Sequence, residues 1–131
     1  MKIECNEKQI RLIAEALEYY SRHLSGQLEI TLFPELVWCR MVKEGKDYNV
    51  AQGIINLAKI YGWNLSANEN IGVGKSKKLT EGENETKDLA YEMYKCIRHF
   101  LWEQDPERGS YSTDSYNGLH FTKEEKIRVS K

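Results

Sequence analysis

The sequence predicts a mainly α (α+β) fold: a compact helical domain of three main helices with a polar loop and a small C-terminal β-hairpin. Three observations carry that reading. Apolar residues recur at spacings of three, four and seven in three separate stretches, which is the repeat of one helix face. Residues 66–88 hold only four apolar side chains, Ala67, Ile71, Val73 and Leu79, against nine charged ones. Asn117-Gly118 lies between short aromatic segments, the pattern of a type I′ hairpin turn. At 131 residues the chain fits a single domain, 1–131, burying roughly two-thirds of the surface it would expose unfolded.

In chain order, Ile3 and Cys5 alternate with charged neighbours, which fits a short strand or a lead-in. Asn6 is suited to cap the first helix, whose inner face is Ile10, Ile13, Ala14, Leu17 and Leu24. Gly26 supplies its stop. Leu28, Ile30 and Leu32 alternate as a strand would, yet so short a run is equally compatible with a helix. Pro34 suits the first turn of a helix carrying Leu36, Val37 and Met41, and residues 44–47 read as a turn. Val50, Ala51, Ile54, Ile55, Leu57 and Ala58 outline the second main helix, ending at Gly62.

Residues 66–88 bury too little to offset their ordering entropy and read as a mobile loop. Thr86 or Asn84 then caps the third main helix, lined by Leu89, Met93, Cys96, Ile97, Phe100 and Leu101 and stopped at Asp105-Pro106. Residues 108–131 are read as hairpin and tail. Thr122 to Glu125 has capping-box spacing, but only six residues follow, too few for a helix alone.

Composition excludes several functions. Nineteen basic and twenty acidic side chains give a net charge of −1, which argues against nucleic-acid or anionic-membrane binding driven by overall charge. No apolar run approaches the about 20 residues of a membrane span. The opening MKIECNEKQI lacks an apolar leader core, so a cytoplasmic location is expected. Cys5, Cys39 and Cys96 form no CxxC pair, and His23, His99 and His120 belong to different elements, so neither a metal site nor a cofactor is expected. Gly74-Lys75-Ser76 resembles the end of a phosphate-binding loop, but the glycine required five positions earlier is Glu69. No catalytic residue is assigned.

The arginines stand in a more informative arrangement. Arg22-His23 ends the first helix behind Tyr19 and Tyr20, while Arg98-His99 has Tyr94 four residues before the arginine and Trp102 four after it. Arginine forks bind phosphate bidentately and aromatic rings stack on bases. The candidate ligand-binding residues are therefore Arg22, Tyr94, Arg98, His99, Trp102 and Arg108, with Arg40 adding charge. Solvated arginines paired with nearby glutamates would give the same pattern. Eight tyrosines and three tryptophans favour a homo-oligomer, because such rings suit interfaces.

Ala16-Leu17-Glu18, Tyr20-Ser21-Arg22 and Gly26-Gln27, followed by Ala90-Tyr91, Ile97-Arg98-His99 and Leu101-Trp102, carry a match that covers about a third of the chain. In this order they resemble small phage and prophage proteins of Gram-positive gut bacteria, where a helix reading ALExYSR…GQ precedes one reading AYxxxxxIRHxLxW. The chain is also similar, more distantly, to the Thoeris anti-defence sponges that trap cyclic ADP-ribose derivatives. That family's ligand residues do not transfer one by one. The resemblance implies a non-enzymatic, phage-derived counter-defence protein in the host cytoplasm that sequesters a small phosphorylated, cyclic nucleotide without hydrolysing it. Two other readings stay open: a phage protein that inhibits a host defence or CRISPR protein by direct binding, and a small DNA-binding regulator using the basic stretch Lys75, Lys77 and Lys78.

Overall fold

The computed structural model describes residues 3–31, 48–108 and 122–130, with Tyr48 and Arg108 as backbone only. Among the described residues four helices follow one another: α1 (Glu7–Leu24), α2 (Leu28–Thr31), α3 (Tyr48–Trp63) and α4 (Glu81–Gln104), with a 3-10 turn at Pro106–Arg108. The fold is thus mainly helical. Among the described residues there is no strand. The expected Asn117-Gly118 turn lies outside the described residues, as do the Pro34 helix and the 44–47 turn. Residues 122–130, expected to belong to the hairpin and tail, run as irregular chain.

Contacts gather the chain into two compact units, Met1–Ser21 with Asp88–Lys131, and Arg22–Lys87. In the first, α1 starts on a reciprocal cap: the Gln9 N–H donates to Asn6 Oδ1 at 2.9 Å and the Asn6 N–H to Gln9 Oε1 at 2.8 Å. The Glu7–Arg11 pair one turn on is exposed, at 2.8 Å, and contributes little. The core of this unit is Ala14, Tyr94 and Ile97, flanked by Ile10, Leu17, Tyr91, Leu101, Ile127 and Val129. Ile13, expected inside, is 38% exposed at the edge of the face. The C-terminal stretch packs into the core instead of pairing as a strand. Buried Glu92 holds it, accepting the Thr122 N–H at 2.7 Å and the Thr122 hydroxyl at 2.8 Å.

The second unit opens where α1 stops. Gly26 has φ +68°, the Gln27 N–H donates to Arg22 O at 3.0 Å, and the Gly26 N–H donates to His23 O at 3.0 Å. That pair of bonds is a Schellman closure, which favours glycine. The following chain forms α2 rather than a strand, since Ile30 and Thr31 N–H groups both reach back to Gln27 O. Leu28, Ala51, Ile55, Leu65 and Ile71 are its buried apolar residues. Asn64, at φ 51°, turns the chain after α3 and extends that helix to Trp63, one residue past the expected stop.

The polar segment expected to run as a loop over 66–88 ends at Thr80, because Glu81–Asp88 form the first turns of α4. Thr80 and Glu83 cap each other: the Thr80 N–H donates to Glu83 Oε2 at 2.8 Å, and the Glu83 N–H to Thr80 Oγ1 at 3.3 Å. Thr86 and Asn84, expected as caps, lie inside the helix. Asn84 is buried and ties the loop instead, with Nδ2 on Ser76 O at 2.8 Å and Oδ1 accepting the Ser76 N–H at 2.8 Å.

Two lysines with no exposed surface hold the rest of that loop. Lys59 Nζ donates to Glu29 Oε1 at 2.7 Å, Ala67 O at 2.9 Å and Asn70 Oδ1 at 3.0 Å, which uses all three ammonium protons. Lys87 Nζ donates to Gly72 O at 2.8 Å and Gly74 O at 3.1 Å. A buried ammonium is tolerated only when its donors are occupied, so these bonds both order the loop and make the burial bearable.

Candidate functional site

The second half of α4 carries most of the residues that the arginine-aromatic pattern points to. Residues 94, 98 and 102 lie one turn apart on a helix, so their side chains form a row. The Arg98 guanidinium sits over the Tyr94 ring, 5.7 Å from its centroid. Lys95 Nζ approaches the same ring at 5.7 Å. His99 stacks on Trp102 with ring centroids 5.9 Å apart and planes 20° from parallel. Tyr91 meets Tyr94 edge-on at 5.9 Å.

Burial separates the roles of these groups. Tyr94 is 7% exposed and belongs to the core, so its ring supports Arg98 from below and offers no open face to a ligand. Arg98, His99 and Trp102 are half-buried. Glu103 lies one turn beyond His99, with Oε1 3.4 Å from Nε2. The row therefore combines a planar guanidinium, an imidazole and an indole on one helix, which suits a phosphate beside a flat ring.

The remaining candidates belong to other parts of the chain. Arg22 belongs to the Arg22–Lys87 unit, where its Nη1 donates to Gln27 Oε1 at 2.7 Å. Arg108 is placed by its backbone at the end of the 3-10 turn, and Arg40 lies outside the described residues. His23 stands edge-on to Trp63 at 5.2 Å within the second unit. Sequence reasoning missed Lys95 and Glu92, both buried in this half of α4. Only their positions beside Tyr94 and Tyr91 hint at it, since lysine and glutamate are ordinarily exposed.

The Cys96 thiol is pushed up, chiefly by burial, which makes it a poor nucleophile at neutral pH. Among the described residues no cluster of three histidine, cysteine, aspartate or glutamate side chains is placed to hold a metal. No described helix is long and apolar enough to cross a membrane. No family model, curated protein or solved structure matches this chain.

Proposed function

We propose that this protein binds a small phosphorylated, cyclic nucleotide and sequesters it unchanged, as a phage-derived counter-defence protein would. One observation carries the ligand reading: Arg98 is held over Tyr94 one turn before the stacked His99–Trp102 pair. Stacking fixes the plane of a guanidinium, so the fork is oriented before a phosphate arrives. Trp102 supplies a flat apolar face for a base. The phage context rests on the likeness of the two helical motifs. The homo-oligomer belongs to the same proposal and is supported by half-exposed Tyr19 and Tyr20 on α1 and by Tyr61, 85% exposed, on α3.

Native mass spectrometry with a panel of cyclic nucleotides tests this reading. The expected result is a mass shift whose ligand is released intact on heating. Arg98→Ala should abolish the shift and leave a folded protein with a melting temperature lower by several degrees, because a partly buried cation–π contact is worth roughly 0.5–2 kcal/mol. Arg98→Lys, which keeps charge but loses the fork, should bind weakly. No adduct with any nucleotide, or a variant that no longer folds, would remove the proposal.

A second reading is favoured by a different observation. Val50, Ile54, Leu57, Ile60 and Tyr61 of α3 are all about half-exposed or more, and Lys59, the helix's charged residue, is buried. Large apolar side chains on one helix face mark a protein-binding surface. On this reading the protein blocks a host defence protein directly. A clean preparation without a nucleotide adduct that captures one host protein through α3 would favour it.

A further inference from the structure

The stretch Gly72-Val73-Gly74-Lys75-Ser76-Lys77 takes no part in the α4 row and lies wholly within the Arg22–Lys87 unit. Its backbone has an unusual polarity. Buried Lys87 draws the carbonyls of Gly72 and Gly74 toward one point. A trans peptide sets each N–H opposite the preceding C=O, so the Val73 and Lys75 amides face away from Lys87. Gly74 makes the turn between them at φ +91°, a conformation a side chain would strain. Among the described residues the amides of Val73, Lys75 and Lys77 have no acceptor, whereas those of Ile71, Ser76 and Lys78 are bonded.

Two of these residues, Lys75 and Lys77, line an open depression of ≈ 360 Å³ together with Ser76, Leu79, Glu81 and Asn84. The three neighbouring lysines differ in availability. Lys78 is committed to Glu69 and to Asn64 O, at 2.5 and 3.1 Å. Lys75 has only a loose, exposed contact with Glu81 at 3.6 Å. Lys77 has no partner among the described residues. At the start of α4 the Thr80–Glu83 cap uses the Thr80 and Glu83 N–H groups.

We propose that Gly72–Lys77 is a phosphate-binding loop: the outward amides of Val73 and Lys75 and the ammonium groups of Lys75 and Lys77 take one phosphate group of a small phosphorylated metabolite. Outward N–H groups on either side of a positive-φ glycine suit an anion, and each charge-assisted bond is stronger than a neutral one. Glu81 opposes the anion and releases Lys75 when it binds. Binding here is without hydrolysis, because Glu69 stands where a nucleotide-hydrolysing loop needs glycine.

The test is an NMR titration of backbone amides in the full chain with inorganic phosphate, at constant ionic strength against sodium chloride. Saturable shifts are expected at Val73, Lys75 and Lys77 with phosphate and not with chloride. The double variant Lys75→Gln/Lys77→Gln should weaken the response about tenfold or more, because it removes two charge-assisted contacts. Both side chains are exposed, so its melting temperature should match the parent. Arg98→Ala should leave these shifts intact, which separates this site from the one proposed on α4. Shifts equal to those in chloride, shifts that survive the double variant, or shifts lost with Arg98→Ala would each overturn the loop site.

Discussion

At the scale of single residues, the buried lysines show how context reverses an ordinary preference. Lysine is among the residues least often fully buried, and nothing in the spacing of Lys59 or Lys87 sets them apart in the sequence. Their partners, Glu29, Ala67, Asn70, Gly72 and Gly74, are remote in the chain or are backbone carbonyls, which local pattern does not register. Lys59→Met keeps the volume but strands three acceptors; a loss of about 2–4 kcal/mol is expected, read by urea denaturation. Gly26 was legible as a stop, and the structure adds a second requirement: a Cβ there would collide with Leu65 Cδ1. Leu65 is itself buried, so Gly26→Ala should destabilise by about 1–3 kcal/mol through strain and repacking together, checked by thermal melting. Tyr94 marks the limit in the other direction. Its spacing from Arg98 is readable as a pair, but whether the ring is wall or lid depends on Ile10, Leu17 and the tail residues Ile127 and Val129.

At the scale of elements, helices with an apolar stripe were legible and the polar one was only half legible. α1 and α3 follow their three-and-four spacing, and the cap at Asn6 is where the sequence places it. α4 begins earlier than its apolar stripe because Glu81–Thr86 gain their helix from an end cap rather than from burial. The signal was present as Thr80-x-x-Glu83, obscured by the surrounding charge. Thr80→Ala should therefore cost about 1 kcal/mol and raise amide exchange over residues 81–86 selectively. The cap also gives α4 an acid limit. Hydrogen bonds from Thr80 hold the Glu83 carboxyl below the ordinary carboxylate range. A group depressed in the folded state stabilises fully above its unfolded value and loses that contribution as pH falls through the folded one. Fraying of the first turn of α4 is thus expected below about pH 4, and Glu83→Gln should remove that pH dependence.

At the scale of the molecule, the mainly helical class followed from periodicity, whereas the arrangement of residues 122–130 did not. Their attachments include Glu92, meeting Thr122 thirty residues away, and the packing of Ile127 and Val129 on the core. The surface is near neutral overall, yet its apolar part is concentrated on particular helix faces, which composition averages away. Leu57 is 55% exposed on α3. Leu57→Glu should change stability by no more than about 0.5 kcal/mol, read by denaturation. If α3 is a docking face, the same variant should lose its partner in size-exclusion chromatography while nucleotide binding at Arg98 persists.

The two sealed ammonium groups also provide a natural chemical stopwatch. An amine-reactive reagent reaches Lys75 and Lys77 in the native protein, but it acylates Lys59 and Lys87 only when the Arg22–Lys87 unit opens. Each lysine modified during such an opening loses its charge and two of its three N–H donors, so the loop does not return to its place. Labelled Lys59 or Lys87 in a mass spectrum would therefore count irreversible openings of that unit one at a time.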